Sequence, residues 1–530
     1  MMTNSGIKGN KKNLSPLKIL LVTYSAYPRI GGRSTYITLL KKKLEEQGHT
    51  VDLLAHKPGL NEIYLMGQKS VDKEEIRLEI EQKVRHLHQE HYPHLSPWIR
   101  WRELERYIFE EALMRFDLSD YDLVHTQDIF SSLICPRIIS NKPIIASFHN
   151  CKVEEWKVNQ GRETKSEQEL EYIASEEYLS VLRPQKVIVP SRWLKNAFVK
   201  LGVPETQCTV IPYGLEIEAY NQKLENHVPH FKEKQKPIIL VPARMVPIKG
   251  HTFLFQALER LKEEDEPFEC WLAGNGVLEE HLRQEAQERQ IDDRIHFLGG
   301  RHDIPTLLAE ADMMVLPTLH DTFPFVVMEA QAAGVPVIST AVGGVVEMIA
   351  HGKTGLLGPP GDAHFLYQAI KSLIHDPKLR HEISINSRHH AERCWNVSLM
   401  IEKTVDVYQQ SMESWREEPP KYRIRGATFD LDHELLERIP RLPPGDVYTG
   451  KIVGKIDRSS HQEGRETVVH LMDISWITLQ STRPDREGYF TFENVPPGRY
   501  ALMAVDGDQK ISGHTVVYKD QVSIWNVRID

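Results

Sequence analysis

The architecture of this chain is set by the stretch from Leu17 to Ala55, which reads LKILLVTYSAYPRIGGRSTYITLLKKKLEEQGHTVDLLA. It opens with a short apolar run at 19–22, which suits a buried parallel strand. A loop with Gly31 and Gly32 follows, then a helical pattern that Gly48 ends, and then a second apolar run. This strand–loop–helix–strand order predicts an open, doubly wound α/β sheet.

The same alternation continues along the chain, and changes in it mark the predicted segments. These are a disordered tail at 1–16, an N-terminal Rossmann-like lobe at 17–215, a polar linker at 216–235, a second Rossmann-like lobe at 236–412 that closes on a terminal helix, a proline-containing linker at 413–445 and a small all-β sandwich at 446–530. In the last segment Phe490, Phe492, Tyr500 and Leu502 alternate as expected core residues. The predicted fold class is therefore α/β, with two doubly wound lobes and a β appendage.

The composition narrows the function classes. The 530 residues include 65 Lys+Arg and 74 Asp+Glu, a formal net charge of −9, which argues against a general nucleic-acid binder. Five scattered cysteines without a CxxC pair predict neither a zinc nor a redox motif, and favour a reducing, cytoplasmic compartment. The N-terminus lacks a signal-peptide pattern, and the charge-poor run at 330–346 reads as helix–turn–strand rather than as a membrane span.

A pair of basic residues follows the first strand of the second lobe, in PARMVPIKG at 242–250. Arg244 and Lys249 would stand beside a helix N-terminus, where two cations suit a diphosphate. A solvated surface pair is the alternative, because most Lys and Arg side chains are merely exposed.

A pair of acidic residues follows a later strand of the same lobe, in DTFPFVVME at 321–329. Pro324 reads as the first residue of a helix, with Asp321 in the preceding loop and Glu329 in the second turn. Carboxylates at these places accept hydrogen bonds from sugar hydroxyls. The alternative is two independent helix-face charges, which is weakened because a Glu within an apolar run usually has a partner.

Other motifs are weaker by themselves. Gly31 and Gly32 let the backbone approach a ligand, but no GxGxxG motif or P-loop is present. His125 and His149 each follow a predicted strand at the mouth of the first lobe, although a lone histidine is more often structural. Asp430-Leu-Asp432 lies in the second linker and reads as solvated charge rather than as a metal site.

Taken together, these motifs resemble the GT-B glycosyltransferases of family 4, which transfer a sugar from a nucleotide sugar with retention of the anomeric configuration. The resemblance covers residues 17–412, and its most specific element is the E-x7-E signature, present here from Asp321 to Glu329 within DTFPFVVMEAQAAGVPV. The supporting matches are LLVTYSAYPRIGG, PARMVPIKG, LAGNG, PSRWLK, and VGGVVEMI followed by HGKTGLLGPPGD.

The resemblance implies a role for each matching residue. In the second lobe, Arg244 and Lys249 match the diphosphate-binding pair, Glu329 matches the glutamate that holds the nucleotide ribose, and Asp321 matches the first glutamate, which contacts the donor sugar. Phe323 and Pro324 match the backbone amides near the sugar, and Gly274 and Gly276 match the turn beside the nucleobase. In the first lobe, His149 matches a histidine near the acceptor, and Gly31 and Gly32 match the glycine loop near the phosphates. The implied catalytic group is His149, Asp321, Arg244 and Lys249. The implied chemistry needs no metal and no cofactor.

This sequence departs from the family pattern at the first acidic position. Asp321 keeps the charge of the family's glutamate but shortens its reach by one methylene, about 1.5 Å. Thr322 and Pro324 also replace residues of a glycine-rich version of the motif. These departures raise the prospect of a different donor preference or of weak activity.

The segment GYFTFENVPPGRYALMAV at 488–505 resembles the carboxypeptidase-regulatory-like, transthyretin-like β-sandwich, which mostly serves attachment or packing. The resulting prediction is a retaining hexosyltransferase that uses a nucleotide sugar, by family frequency UDP-linked, and a glycan or other hydroxyl acceptor. It binds no nucleic acid and has no transmembrane segment, but peripheral membrane association stays open. The alternatives are a non-catalytic structural or carbohydrate-binding surface or spore-coat protein, and a GT-B sugar-nucleotide epimerase.

Overall fold

The structure is a computed structural model that describes most of the chain. The described residues are 15–158, 165–225, 236–417, 429–440, 450–458, 467–472, 478–485, 488–495, 498–506, 509–517 and 522–529. The predicted tail therefore lies almost entirely outside the described residues. The chain divides into a larger unit of Met1–Ile76, Phe109–Val158 and Glu177–Phe429, and a smaller unit of Arg77–Ile108, Asn159–Glu176 and Asp430–Asp530.

The N-terminal lobe contains an eight-stranded sheet built on short, apolar strands. Its strands are β1 Lys18–Ala26, β2 Thr50–His56, β3 Glu62–Leu65, β4 Val71–Asp72, β5 Leu123–Thr126, β6 Ile144–Ser147, β7 Lys186–Val189 and β8 Cys208–Val210. The strand order is β4-β3-β2-β1-β5-β6-β7-β8. In this spatial order, each strand from β2 through β1 to β8 runs parallel to its neighbour. Strands β3 and β4 pair antiparallel at the edge next to β2.

The helices of this part of the chain are α1 Gly32–Glu46, α2 Lys73–His91, α3 Pro97–Met114, α4 Ile129–Ile138, α5 Lys152–Val158, α6 Glu167–Leu182 and α7 Arg192–Lys200, with a 3₁₀ turn at Glu205–Gln207. Strand β5 is buried along its whole length, as expected for a parallel strand covered on both faces. The carboxyl ends of β1, β5 and β6 consequently share one edge of the sheet, which is where ligands bind in open α/β folds.

The second lobe repeats this plan with a six-stranded parallel sheet. Its strands are β9 Ile238–Val241, β10 Glu269–Ala273, β11 Ile295–Gly299, β12 Met313–Leu316, β13 Val337–Thr340 and β14 Leu356–Gly358, in the order β11-β10-β9-β12-β13-β14. Its helices are α8 Ile217–Glu225, α9 His251–Glu263, α10 Glu279–Glu288, α11 Ile304–Glu310, α12 Phe325–Ala333, α13 Val345–Met348, α14 Ala363–His375, α15 Pro377–Cys394 and α16 Val397–Glu417, with 3₁₀ turns at Pro247–Lys249 and Asp292–Arg294. The prediction of two doubly wound α/β lobes is confirmed.

The chain passes between the two lobes at adjacent points. The Leu215 amide donates to the Trp395 carbonyl at 2.7 Å, and the Val397 amide donates to the Leu215 carbonyl at 3.2 Å. A Cβ on Gly214 would lie 2.4 Å from the Val397 Cα, so only glycine allows this approach. The outgoing and returning segments therefore form one bonded crossing.

Helix α16 returns to the N-terminal lobe, where it packs against α1, β6 and β7. Its Tyr408 hydroxyl lies 2.8 Å from His125 Nδ1, and the other ring nitrogen of His125 lies 2.8 Å from the Ser147 hydroxyl. Burial lowers the pKa of His125 to about 3, so the ring stays neutral. With both nitrogens occupied, His125 is a structural residue.

Both predicted linkers contain folded segments. Residues 217–225 form α8, which packs against α11 and α12, and residues 226–235 lie outside the described residues. Helix α16 extends to Glu417, and a short helix, α17, spans His433–Leu436. Asp432 is 1% exposed, so the prediction of a solvated Asp430–Asp432 pair is wrong for Asp432.

The smaller unit contains two small sheets from the C-terminal part of the chain. Their strands are β15 Gly450–Arg458, β16 Thr467–Met472, β17 Thr478–Thr482, β18 Tyr489–Val495, β19 Gly498–Asp506, β20 Gln509–Val517 and β21 Val522–Ile529, in the orders β18-β15-β21 and β17-β16-β19-β20. Phe490, Phe492 and Leu502 belong to one buried cluster, as predicted. The side chain of Tyr500 lies outside the described residues.

The helical part of the smaller unit holds a buried charge cluster. The fully buried Arg106 donates to Glu103 at 2.6 Å and to Asp432 at 3.1 Å. The Tyr172 hydroxyl donates to Glu103, and the Asp432 amide donates to the Tyr107 hydroxyl at 2.7 Å. This cluster fastens the segment around α17 to α3.

Candidate active site

The predicted basic and acidic motifs of the second lobe meet at the carboxyl ends of β9 and β12. Lys249 ends the 3₁₀ turn after β9, and its ammonium forms an ion pair with the Asp321 carboxylate. The Leu319 amide donates to the Ile248 carbonyl at 2.7 Å, which fixes the two loops together. Since both charged side chains are mostly buried, Lys249 is not a solvated surface cation, and the two motifs meet at one edge of the sheet.

Arg244 lies on the neighbouring loop, where its side chain is exposed. The Met245 amide donates to the Asn275 carbonyl at 3.0 Å, so the loop of Arg244 is held by the LAGNG turn. A Cβ on Gly274 would lie 2.1 Å from the Ala243 carbonyl oxygen, and one on Gly276 would lie 2.1 Å from that of Met245. These two glycines are thus required by packing, and their contact with a nucleobase stays a prediction.

Helix α12 carries the second acidic residue. The helix begins at Phe325, so Pro324 is the residue before the helix and not its first residue as predicted. Glu329 is half-buried on this helix. Burial, together with the Glu329 charge, holds the pKa of Tyr220 well above its usual value, which places that tyrosine of α8 near the carboxylate.

His149 lies beyond β6 in the N-terminal lobe. Its Nδ1 is 2.6 Å from the Tyr213 hydroxyl, and its Nε2 is 3.4 Å from Gln127 Oε1. Burial and then the nearby Arg33 guanidinium hold the pKa of His149 well below 6.5. The imidazole is therefore neutral, with the hydrogen-bonding capacity of one donor and one acceptor.

Aromatic rings connect His149 with the second lobe. The Tyr213 ring stacks on Phe325 with centroids 4.7 Å apart, and meets Phe323 edge-on at 5.6 Å. The glycine loop of the N-terminal lobe reaches the Phe325 ring, because a Cβ on Gly32 would lie 3.2 Å from Phe325 Cδ2. Gly31 precedes it with a φ of 139°, a backbone conformation that favours glycine. Of the predicted residues, Gly32 and His149 of the N-terminal lobe and Phe323 of the second lobe thus lie around the same aromatic group.

Several cleft residues were not singled out from the sequence, and Glu347 is the clearest of them. Its carboxylate on α13 accepts the amides of Arg192 at 2.9 Å and Trp193 at 2.7 Å, the first two residues of α7 in the other lobe. The Ser191 hydroxyl caps the next amide of that helix. A carboxylate at a helix N-terminus is favoured by the helix dipole, so Glu347 links the lobes.

Replacing Glu347 with alanine is expected to weaken this link by about 1 kcal/mol, the usual value of a capping carboxylate. Because the two amides at the start of α7 then lose their acceptor, they should exchange with solvent up to about fivefold faster. Hydrogen exchange of the peptides that cover 190–200 measures the change. Glu382→Ala, on an exposed face of α15, is the control that should exchange as the unchanged protein does. Equal exchange in both variants would contradict the link between Glu347 and α7.

Other features of the chain assign no further chemistry. All five cysteines are unpaired, and four of them are buried. Among the described residues, no cluster of three His, Cys, Asp or Glu side chains is arranged to hold a metal ion. None of the helices in the described part of the chain combines the length and apolar character needed to span a bilayer.

Comparison with known sequences gives matches to two consecutive families. Residues 30–219 match Glycosyltransferase Family 4, and residues 222–390 match Glycosyl transferases group 1. An uncharacterized glycosyltransferase of Methanocaldococcus jannaschii is 24% identical over 409 residues, which is 75% of this chain and 99% of that protein. The MMP alpha-(1->4)-mannosyltransferase of Mycolicibacterium hassiacum is 23% identical over 432 residues, 75% of this chain and 98% of its own length.

Solved structures match the fold of the same region. Sucrose-phosphate synthase from Thermosynechococcus elongatus has a TM-score of 0.57 at 21% identity, with 75% of this chain and 100% of the other covered. HepE of Anabaena, in complex with UDP and glucose, has a TM-score of 0.55 at 20% identity, with 74% and 99% covered. From residue 30 to residue 390, this chain therefore has a GT-B fold and is similar, in chain order, to a family 4 glycosyltransferase domain and a group 1 glycosyltransferase domain.

Proposed function

We propose that the protein is a retaining hexosyltransferase that moves a hexosyl group from a UDP-linked sugar to a hydroxyl of a glycan or surface acceptor. The observation that carries this proposal is the Lys249–Asp321 pair at the carboxyl ends of β9 and β12. The UDP and glucose named for HepE support a UDP-sugar donor. A cytoplasmic location and a peripheral contact with a membrane are part of the same proposal.

The chemistry follows from the charges that develop as the donor breaks down. When the glycosidic bond to the diphosphate breaks, the diphosphate gains negative charge and the sugar becomes cation-like. In the second lobe the Lys249 ammonium is held beside Asp321, and Arg244 has an exposed guanidinium on the adjoining loop. Fixed cations that face developing negative charge lower the barrier to its formation. Asp321 would hold the sugar and Glu329 the ribose.

The acceptor side of the reaction is assigned to His149. A front-face attack by an acceptor hydroxyl requires no protein nucleophile. Nδ1 of the neutral His149 imidazole accepts from the Tyr213 hydroxyl at 2.6 Å, whereas the contact of Nε2 with Gln127 Oε1 is long at 3.4 Å, so Nε2–H can instead donate to a sugar hydroxyl near the reacting carbon. His149 is thus proposed to orient the reacting sugars, and the glycine loop at Gly31 and Gly32 to admit the phosphates.

A non-catalytic carbohydrate-binding protein is the second candidate. Asp321 is shorter than the glutamate of the family pattern, and its carboxylate is already paired with Lys249. The two C-terminal sheets, proposed as a carboxypeptidase-regulatory-like domain, would serve attachment in either case. The two candidates differ in turnover: the second one binds a nucleotide sugar without releasing the nucleotide.

Thermal denaturation with a panel of nucleotide sugars tests the proposal. A donor at 100 times its Kd should stabilise the chain by about 2.7 kcal/mol and raise the melting temperature by several degrees. The donor that gives the largest shift is then incubated with and without acceptor glycans, and UDP release is measured. Stabilisation without any UDP release would favour the binding protein, and no stabilisation by any nucleotide sugar would contradict both candidates.

A further inference from the structure

His320 stands directly before Asp321 and has no role in the mechanism above. It follows β12, and its carbonyl accepts the Thr318 hydroxyl at 2.9 Å, which fixes its backbone. The residue is 8% exposed, and its Nε2 is a buried atom with no hydrogen-bond partner among the described residues. A buried polar atom without a partner costs about 1–3 kcal/mol, so its retention calls for an explanation.

The surroundings of His320 come from both lobes. The Trp193 ring of the N-terminal lobe meets it edge-on with centroids 5.2 Å apart. Burial lowers the pKa of His320, and the Lys249 charge acts in the same direction; together they outweigh the carboxylates of Glu155, Asp321 and Glu154, which raise it. The ring is thus neutral and lies in the cleft beside the Lys249–Asp321 pair.

Thr322 lies on the other side of Asp321 and shows the same feature. It is 4% exposed, and its hydroxyl is also a buried atom without a partner among the described residues. Its carbonyl lies against Gly344, where a Cβ would come within 1.8 Å, so its backbone is held as firmly as that of His320. Two polar atoms without partners therefore flank the acidic residue of the pocket.

We infer that His320 and Thr322 recognise hydroxyl groups of the transferred sugar on the two sides of Asp321, and so determine which hexose the site accepts. A sugar hydroxyl both donates and accepts hydrogen bonds, which matches a neutral imidazole and a threonine hydroxyl. An apolar ligand would leave these atoms without partners. This inference rests on the proposed function, because it names residues that read the donor of that same site.

The Thr322 side chain offers a nearly isosteric test. In Thr322→Val the shape is kept and the hydroxyl is lost, whereas Thr322→Ser keeps the hydroxyl. We expect Thr322→Val to bind the preferred UDP-hexose three- to tenfold more weakly with UDP affinity unchanged, and Thr322→Ser to bind as the unchanged protein does. Without ligand, Thr322→Val should melt at the same temperature or higher, because it removes an unsatisfied buried group.

His320 is tested with a similar pair. Glutamine can place its amide nitrogen close to the position of the imidazole Nε2, whereas leucine fills the space without polar atoms. His320→Leu should lose three- to tenfold in affinity for the UDP-hexose, and His320→Gln should recover most of the loss. A UDP-deoxyhexose that lacks the hydroxyl recognised by His320 should bind the unchanged protein and His320→Leu with equal affinity. One that lacks the hydroxyl recognised by Thr322 should bind the unchanged protein and Thr322→Val with equal affinity.

Three results would overturn the inference. The first is an equal loss of UDP and UDP-hexose affinity, which would place the effect at the nucleotide. The second is unchanged donor affinity and donor hydrolysis with slower transfer only, which would assign the residues to the acceptor. The third is a lower melting temperature of ligand-free Thr322→Val, which would make the hydroxyl structural. Absence of UDP-hexose binding by the unchanged protein would instead count against the proposed function.

Discussion

Lys249→Met is expected to lower the turnover of the UDP-sugar by about 10²–10³-fold, the usual loss when one fixed donor to a developing anion is removed. Methionine keeps the unbranched side chain as far as Cε but lacks the charged Nζ. The variant also leaves the Asp321 carboxylate without its ion-pair partner in a mostly buried pocket. Initial rates of UDP release, measured over a range of donor concentrations, give kcat and KM separately.

Two variants separate this effect from a general disturbance. Lys249→Arg restores the charge and should recover part of the activity, although the guanidinium has a different shape. Lys371→Met removes a lysine that pairs with Glu264 in the same lobe, and should leave turnover unchanged. If Lys249→Met keeps the kcat of the unchanged protein, the Lys249 charge does not stabilise the leaving diphosphate and the proposed mechanism is wrong.

Arg106→Met is expected to destabilise the smaller unit by about 3–5 kcal/mol, because it leaves buried carboxylates without their counter-ion. Arg106 and Glu103 are fully buried, and Asp432 is 1% exposed. Hydrogen exchange of the peptides that cover 97–108 measures the opening free energy of this region without assuming that the whole chain unfolds in one step.

The control for Arg106 is Arg85→Met, which breaks an exposed pair with Glu81 and should change the opening free energy by less than about 0.5 kcal/mol. Adding Glu103→Gln and Asp432→Asn to Arg106→Met removes the uncompensated charges, and should recover much of the loss. Equal exchange in Arg106→Met and in the unchanged protein would show that the cluster does not hold this region together.

Local patterns predicted the fold and the shared sheet edge at which Lys249 meets Asp321. The apolar run at 19–22, the glycine loop and the helix after it are encoded within a few residues of one another, so periodicity alone finds them. Lys249 and Asp321 lie 72 residues apart, but both follow strands of one parallel sheet, and the carboxyl ends of such strands share an edge. The resemblance then gave each residue a role that spacing could not give.

Contacts between distant segments explain what the sequence did not reveal. The prolines near Asp432 indicate a linker, but its partner Arg106 lies 326 residues away, so nothing local marks the carboxylate as buried. Glu347 caps a helix of the other lobe, about 155 residues away in the chain. His320 has an ordinary sequence context, and only its burial between two lobes reveals a ring nitrogen without a partner.

The bonded crossing at Gly214, Leu215, Trp395 and Val397 limits how the molecule can move. Because both chain passages lie side by side and share hydrogen bonds, we expect the lobes to hinge at this one crossing rather than at two separate linkers. A single hinge of this kind would bring Lys249 back to the same side of His149 each time the lobes close. Loops at the rim can then diverge toward new acceptors without disturbing the alignment of the reacting groups.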